Sequence, residues 1–242
     1  MRIAAMIFLL FIACATCADK QVRLTSLQWP PYSGQQLTEQ GASIAVAKAA
    51  FAAMGYTLTV DFFPWSRAVA QARQNATYAG YFPEYYSDEV AQYFIYSDPI
   101  GSGPLGFVER SDQPIDWQTL DDLKGKRIGV VQDYVNTEAF DQRVQSGDLT
   151  TEAVMSDRSN LLKLVNGRID LAVIDPNVME YLLNSDPIFA DKSDKARINK
   201  QLLAYKNLFI CFKKTAEGQH IADIFNQGLK KIDIDAIMAK HL

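Results

Sequence analysis

Histidine and cysteine are scarce in this chain, whose 242 residues hold only 2 histidines, His220 and His241, and 3 cysteines. Without a His/Cys cluster a zinc or iron site of ordinary ligand spacing is not expected, and no metal or cofactor is implied. Positive charge is not in excess: 24 basic residues face 28 acidic ones, a net charge of -4, and no basic run occurs. The counterion-release term that drives binding to a phosphate backbone is therefore missing, and nucleic acid is not an expected partner. The apolar run Ile3 to Ala13 is about half the length that a membrane-crossing helix needs. Neither a P-loop nor a Gly-x-Ser-x-Gly elbow is present.

What remains is ordinary globular composition, 48% hydrophobic and 21% charged, long enough for one large or two small domains. The first eighteen residues read as a leader: Met1-Arg2 is a short positive start, Ile3 to Ala13 is the apolar segment, and Cys14-Ala-Thr-Cys-Ala18 offers small residues for cleavage after Ala18. A lipid anchor at Cys14 fits poorly after Phe11-Ile12-Ala13. Cleavage removes Cys14 and Cys17 and leaves Cys211 alone in an apolar stretch, where a small buried residue is expected. The expectation is an exported, periplasmic monomer.

From Val22 onward strands and helices alternate. Val22 to Leu27 reads as a strand, and Ile44, Ala47, Phe51 and Met54 recur at helical spacing before Gly55. Tyr56 to Phe63 alternates as a strand, Ser66 is placed to cap a helix holding Val69 and Ala72, and Thr77 to Phe82 reads as a third strand. A second unit runs from strand Arg127 to Val131, through a helix with Phe140 and Val144 and the stretch Leu161 to Val165, to strand Leu171 to Ile174. Its two strands are continuously apolar, as in parallel sheets covered on both faces, so an α/β architecture of two lobes is expected. Ser97 to Pro104, with Asp-Pro, two glycines and a second proline, reads as the loop crossing between lobes. It also contains the start of a literal dinucleotide fingerprint, Gly101-Ser-Gly-Pro-Leu-Gly106, but strand-like sequence follows where that motif needs a helix. Leu208 to Phe212 is strand-like, and Glu217 to Ile232 is an amphipathic helix.

Leu123-Lys-Gly-Lys-Arg-Ile-Gly-Val130, Asn166-Gly-Arg-Ile-Asp-Leu-Ala-Val-Ile-Asp175 and Phe225-Asn-Gln-Gly-Leu229 resemble the family 3 extracellular solute-binding proteins that serve bacterial ABC importers. The similarity in order and spacing runs from about residue 22 to 240. It implies a type II periplasmic-binding-protein fold, α/β, each lobe a mostly parallel sheet flanked by helices, with a hinge of two crossings. By analogy residues 1–18 are the signal peptide, 19–104 with 206–242 form the first lobe and 105–205 the second. The implied partners are a small-molecule ligand and an ABC transporter permease in the inner membrane. In amino-acid binders of this family an aspartate in the place of Asp175 contacts the ligand's amino group, while Asp170 is a structural capping residue.

Ligands of open α/β sheets sit outside the carboxyl ends of the strands. That rule selects Trp29 to Tyr32, Pro64 to Arg67, Phe82 to Tyr86, Gln132 to Thr137, and Asp175. The candidate ligand-binding residues are Trp29, Tyr32, Trp65, Arg67, Glu84, Tyr85, Asp133, Tyr134, Thr137 and Asp175, an aromatic wall with a few polar groups. Each aromatic has core packing as its alternative. Arg67, in a first helical turn where a cation opposes the macrodipole, would hold a ligand carboxylate or a neighbouring acid. Asp175, ending an apolar strand, needs a partner such as a ligand ammonium. Asn136 or Thr137 would cap the following helix, whose free N–H groups also suit a carboxylate.

The chain departs from the family where amino-acid binders carry a carboxylate-clamping arginine after the third strand: Ser87-Asp-Glu-Val90 has none. Arg67 would replace it, or the ligand is cationic or neutral and stacked between aromatic faces. Two other classes stay open: a periplasmic enzyme like the cyclohexadienyl dehydratases, with Glu84, Asp133 and Asp175 as acid-base groups, and a ligand sensor that signals to a membrane receptor.

Overall fold

The computed structural model describes residues 20–242, so the leader and its cleavage site lie outside the described residues. The first half of the chain builds β1 (Lys20–Ser26), α1 (Ala42–Ala52), β2 (Tyr56–Phe62), α2 (Trp65–Gln74), β3 (Gly80–Tyr85), the short α3 (Asp88–Ala91) and β4 (Phe94–Tyr96). β5 (Gly101–Arg110) leads into β6 (Ile128–Val131), α4 (Glu138–Gln145), β7 (Thr151–Val154), α5 (Asp157–Val165), β8 (Leu171–Ile174) and α6 (Pro176–Ser185). β9 (Ala196–Lys213) returns to α7 (Ala216–Leu229) and α8 (Ile234–His241).

One mixed sheet results, ordered β2-β1-β3-β9-β5-β8-β6-β7, with β4 also paired to β9. β1 is parallel to β2 and β3, and β6 is parallel to β7 and β8, so each half is a parallel set whose carboxyl ends point one way. β5 and β9 join the halves as an antiparallel pair, Gly103 opposite Lys206. Their ladder is irregular between Leu105 and Gly106 and again between Gly106 and Val108, and such bulges bend a strand.

The two crossings are thus strands, where a loop at Ser97 to Pro104 was expected. Proline fits here because β8 pairs with β5 only from Gly106 onward, leaving one side of Pro104 without a ladder partner. The return crossing, β9, extends far beyond Leu208 to Phe212, through residues 197–207, all of which except the buried Asn199 are exposed or half-buried and so lack the near-continuous burial of Leu208 to Phe212. Three local expectations also shift. β3 begins at Gly80 because Thr77 donates its N–H to the Asn75 side chain in a turn. Leu161 to Val165 lies in α5, and a strand, β7, precedes it. α2 starts at Trp65 after Pro64 with no side-chain cap, so Ser66 is inside the helix.

Helix α1 is buried on most of its surface, with Ile44, Val46, Ala47, Ala50 and Phe51 all inaccessible. It packs on α7 at backbone distance: a Cβ at Gly228 would stand 2.1 Å from the Ala50 carbonyl oxygen, so no larger residue fits. Phe51 and Phe225 close the seam with ring centroids 4.9 Å apart. In the other half Phe107, Phe140 and Phe189 are fully buried, each such ring worth roughly 1.5–3 kcal/mol of transfer free energy. Cys211 is buried and free, in the small apolar role expected of it.

Candidate ligand-binding site

The carboxyl ends of β1, β2, β3, β6, β7 and β8 converge, and each delivers an aromatic or acidic residue. After β1 the chain turns at Trp29–Ser33, and the Trp29 ring stacks on Tyr32 with centroids 4.5 Å apart and 21° between planes. Pro64 ends the link from β2 and places Trp65 at the first position of α2, edge-on to Tyr81 and to Tyr134. β3 ends in Glu84 and Tyr85, both buried. Trp29, Trp65, Glu84, Tyr85 and Tyr134 line a small cavity of about 30 Å³, well below the roughly 300–1,000 Å³ usual for ligand pockets.

The two halves meet through hydrogen bonds at this point. Tyr32 Oη donates to Asp175 Oδ2 at 2.9 Å and accepts from Asn177 Nδ2 at 2.8 Å. Trp65 Nε1 donates to the Asp133 carbonyl at 2.9 Å, and Ser66 Oγ donates to the Asp133 carboxylate. The Trp29 indole and the Tyr134 hydroxyl lie near the carboxylate of Asp157, at the start of α5, and favour its charged form. The crossing strand leaves room for the first of these contacts: a Cβ on Gly103 would lie 2.3 Å from Tyr32 Oη and 2.6 Å from Asp175 Oδ2.

Three buried carboxylates surround the cavity, and among the described residues none forms a salt bridge within 4 Å. Burial pushes Glu84 up to about 8, against the Tyr85 N–H and Tyr81 hydroxyl that bond its charged form. Asp157 rises to about 7 through burial and the neighbouring charge of Asp175. Asp175 rises to about 6 through burial, opposed by Tyr32 and by the N–H groups of Asn177 and Val178 that it caps. Lys206 of β9 sits at the rim, half-buried, its ammonium 5.3 Å from the centroid of Tyr85. Burial lowers its pKa while Asp141 and Glu84 oppose the shift. The Tyr85 hydroxyl, on a residue only 7% exposed, has no hydrogen-bond partner among the described residues.

Trp29, Tyr32, Trp65, Glu84, Tyr85, Tyr134 and Asp175 thus come together. Asp133 joins them differently: it is exposed, has a positive φ of 62°, and bridges to α2 through its carbonyl and carboxylate. Tyr32, Asp133 and Asp175 stand beside the cavity without lining it, and two expected residues stand apart from the cluster. Arg67 is exposed with its guanidinium 5.2 Å over the Phe63 ring, because the third position of α2 points away from the cleft that Trp65 faces. Thr137 accepts the Phe140 N–H as the cap of α4. Asp170 is structural, as the resemblance implied, but holds the Arg127 side chain and N–H rather than capping a helix.

Sequence reasoning missed Asp157, Asn177 and Lys206. Asp157 follows β7, a half-buried edge strand whose residues Thr-Glu-Ala-Val carry little apolar signal; locating that strand would have applied the strand-end rule to Asp157. Lys206 lies in the part of β9 that was not recognised.

No family model matches the chain, and no curated protein matches it. Solved structures do. A histidine kinase sensor domain described as similar to periplasmic binding proteins superposes with a TM-score of 0.78 at 18% identity, over 93% of this chain and 96% of its own. The GluR0 ligand-binding core from Nostoc punctiforme, in complex with L-glutamate, gives 0.73 at 16% identity, over 91% and 99%. An amino acid ABC transporter substrate-binding protein, AbpA from Streptococcus pneumoniae, bound to L-arginine, gives 0.73 at 14% identity, over 91% and 94%. The chain therefore has the periplasmic-binding-protein fold.

Proposed function

We propose that the chain is a periplasmic solute-binding protein that captures a small polar ligand, an amino acid or a related amine or organic acid, between its two halves and presents it to an ABC importer permease. In this reading residues 1–18 direct export, residues 19–104 with 206–242 form one lobe and 105–205 the other, and the protein acts as a monomer. The observation that carries the reading is the Tyr32–Asp175 hydrogen bond, which joins the two halves beside a buried aromatic cavity. Groups from both halves around one cavity are what a ligand needs to bias an open-closed equilibrium, and the bulged β5/β9 pair is the natural place for bending.

A melting-temperature screen of amino acids, amines, organic acids and short peptides tests this. A ligand at about 100 times its dissociation constant stabilises by roughly 2.7 kcal/mol, and it should also reduce the radius of gyration in solution scattering. A screen in which nothing shifts melting contradicts the proposal. The sensor reading draws on one of the similar structures being a histidine kinase sensor domain. Deleting the gene separates the two roles: loss of ligand uptake supports the importer, and intact uptake with a lost transcriptional response supports the sensor.

A further inference from the structure

Resting on the binding function proposed above, we infer that the ligand is an organic cation recognised through its positive charge alone, held between the rings of Trp29, Trp65 and Tyr134 against Glu84 and the Tyr85 hydroxyl, with no clamp for a ligand carboxylate.

The cavity supplies what a cation needs. Its walls are aromatic, and indole and phenol rings attract ammonium and guanidinium groups, more strongly in a desolvated site. Glu84 lines it, 5% exposed, without a salt bridge among the described residues. Asp157 lies near the Trp29 and Tyr134 side chains that form the wall, and Asp175 accepts the Tyr32 hydroxyl. The Tyr85 hydroxyl points independently to a ligand. It is buried, unpartnered, and set among Glu84, Asp157 and Asp175, so an N–H donor is the complement that leaves no charge stranded. Among the described residues these acids do not converge into a metal-binding cluster.

The approach to the cavity has the same sign. A groove that shares Tyr134 and Val135 with it is lined by Asp88, Glu89, Asp133, Glu138 and Asp141, with Lys206 as its lone cation. That field draws cations in and repels anions. Lys206 is a poor carboxylate clamp because it lies on the Tyr85 face under the pull of Asp141 and Glu84. Arg67 stacks on Phe63 outside the cavity. A zwitterion would bring a further negative charge among the three buried acids.

Calorimetric titration with matched pairs that differ by one carboxylate tests the inference: agmatine against arginine, cadaverine against lysine, tyramine against tyrosine. The amine should bind at least about tenfold tighter than its amino acid in one or more pairs. Glu84→Gln should weaken that amine about tenfold or more, and Tyr85→Phe, which keeps the ring and the fold, should weaken it severalfold. Lys206→Met should tighten amine binding, since it removes a like charge from the rim of the site. An amino acid that binds as tightly as its amine, or loses binding in Lys206→Met, overturns the inference in favour of a lysine clamp. Silence of every amine while another compound binds overturns the charge class and leaves the binding function standing. Silence of every compound here and in the melting screen overturns both.

Discussion

Tyr32 and Asp175, 143 residues apart in the chain, share a 2.9 Å hydrogen bond that joins the two halves of the molecule, and that bond runs past the bare α-carbon of Gly103. One link is local to the turn after β1, one to the cap of α6, and the third to the crossing strand β5, so the contact reports directly on closure.

Gly103→Ala should open the molecule. The added methyl would stand 2.3 Å from Tyr32 Oη, forcing the tyrosine out of its bond. Tyr32→Phe removes the same bond and leaves Asp175 and Asn177 each short of a partner, at a cost of about 1–3 kcal/mol. Both variants should melt lower and show a larger ligand-free radius of gyration by scattering. An unchanged radius in both would mean that the bond does not hold the halves together.

Trp65→Phe keeps a ring in the cavity wall but deletes the donor to the Asp133 carbonyl. The expected loss is about 1 kcal/mol of stability by denaturant titration, together with weaker binding of whatever ligand the melting screen identifies. Trp65→Ala should cost about 3–5 kcal/mol, because it also empties a buried position.

Stability and binding should respond to pH in opposite directions. Glu84, Asp157 and Asp175 have folded-state pKa values raised to about 8, 7 and 6, above their ordinary values, mainly by burial. The folded chain therefore holds protons that the unfolded chain releases. Ligand-free stability should be greatest near pH 4 and fall as pH rises towards 8, by up to about 1.4 kcal/mol per pH unit for each proton held only by the folded chain. A cationic ligand favours the ionised carboxylates, so its affinity should rise over the same window. Denaturant titrations and calorimetry at pH 5 and pH 8 check both signs.

Arg67→Gln should leave ligand affinity and melting temperature close to those of the parent. The guanidinium is exposed and stacked on Phe63, with no carboxylate bonded to it among the described residues. A large loss of affinity would return Arg67 to the role of carboxylate clamp.

Periodicity alone determined where β1, α1, β2 and β8 lie, because their apolar residues are spaced to bury one face or both and neighbouring residues suffice to reveal it. The strand-end rule likewise reached Trp29, Tyr32, Trp65, Glu84, Tyr85, Tyr134 and Asp175 from sequence, since each follows or ends a legible strand. Tertiary structure decided the rest. The crossings became strands because β5 and β9 satisfy each other's backbone groups over a long stretch, an arrangement that residues rich in glycine, proline and polar side chains do not announce locally. Asp157 joined the site because an edge strand with little apolar signal carried it there. Arg67 left it because two positions along a helix turn a side chain by more than half a circle, so the placement of Trp65 in the cavity wall sends Arg67 outward.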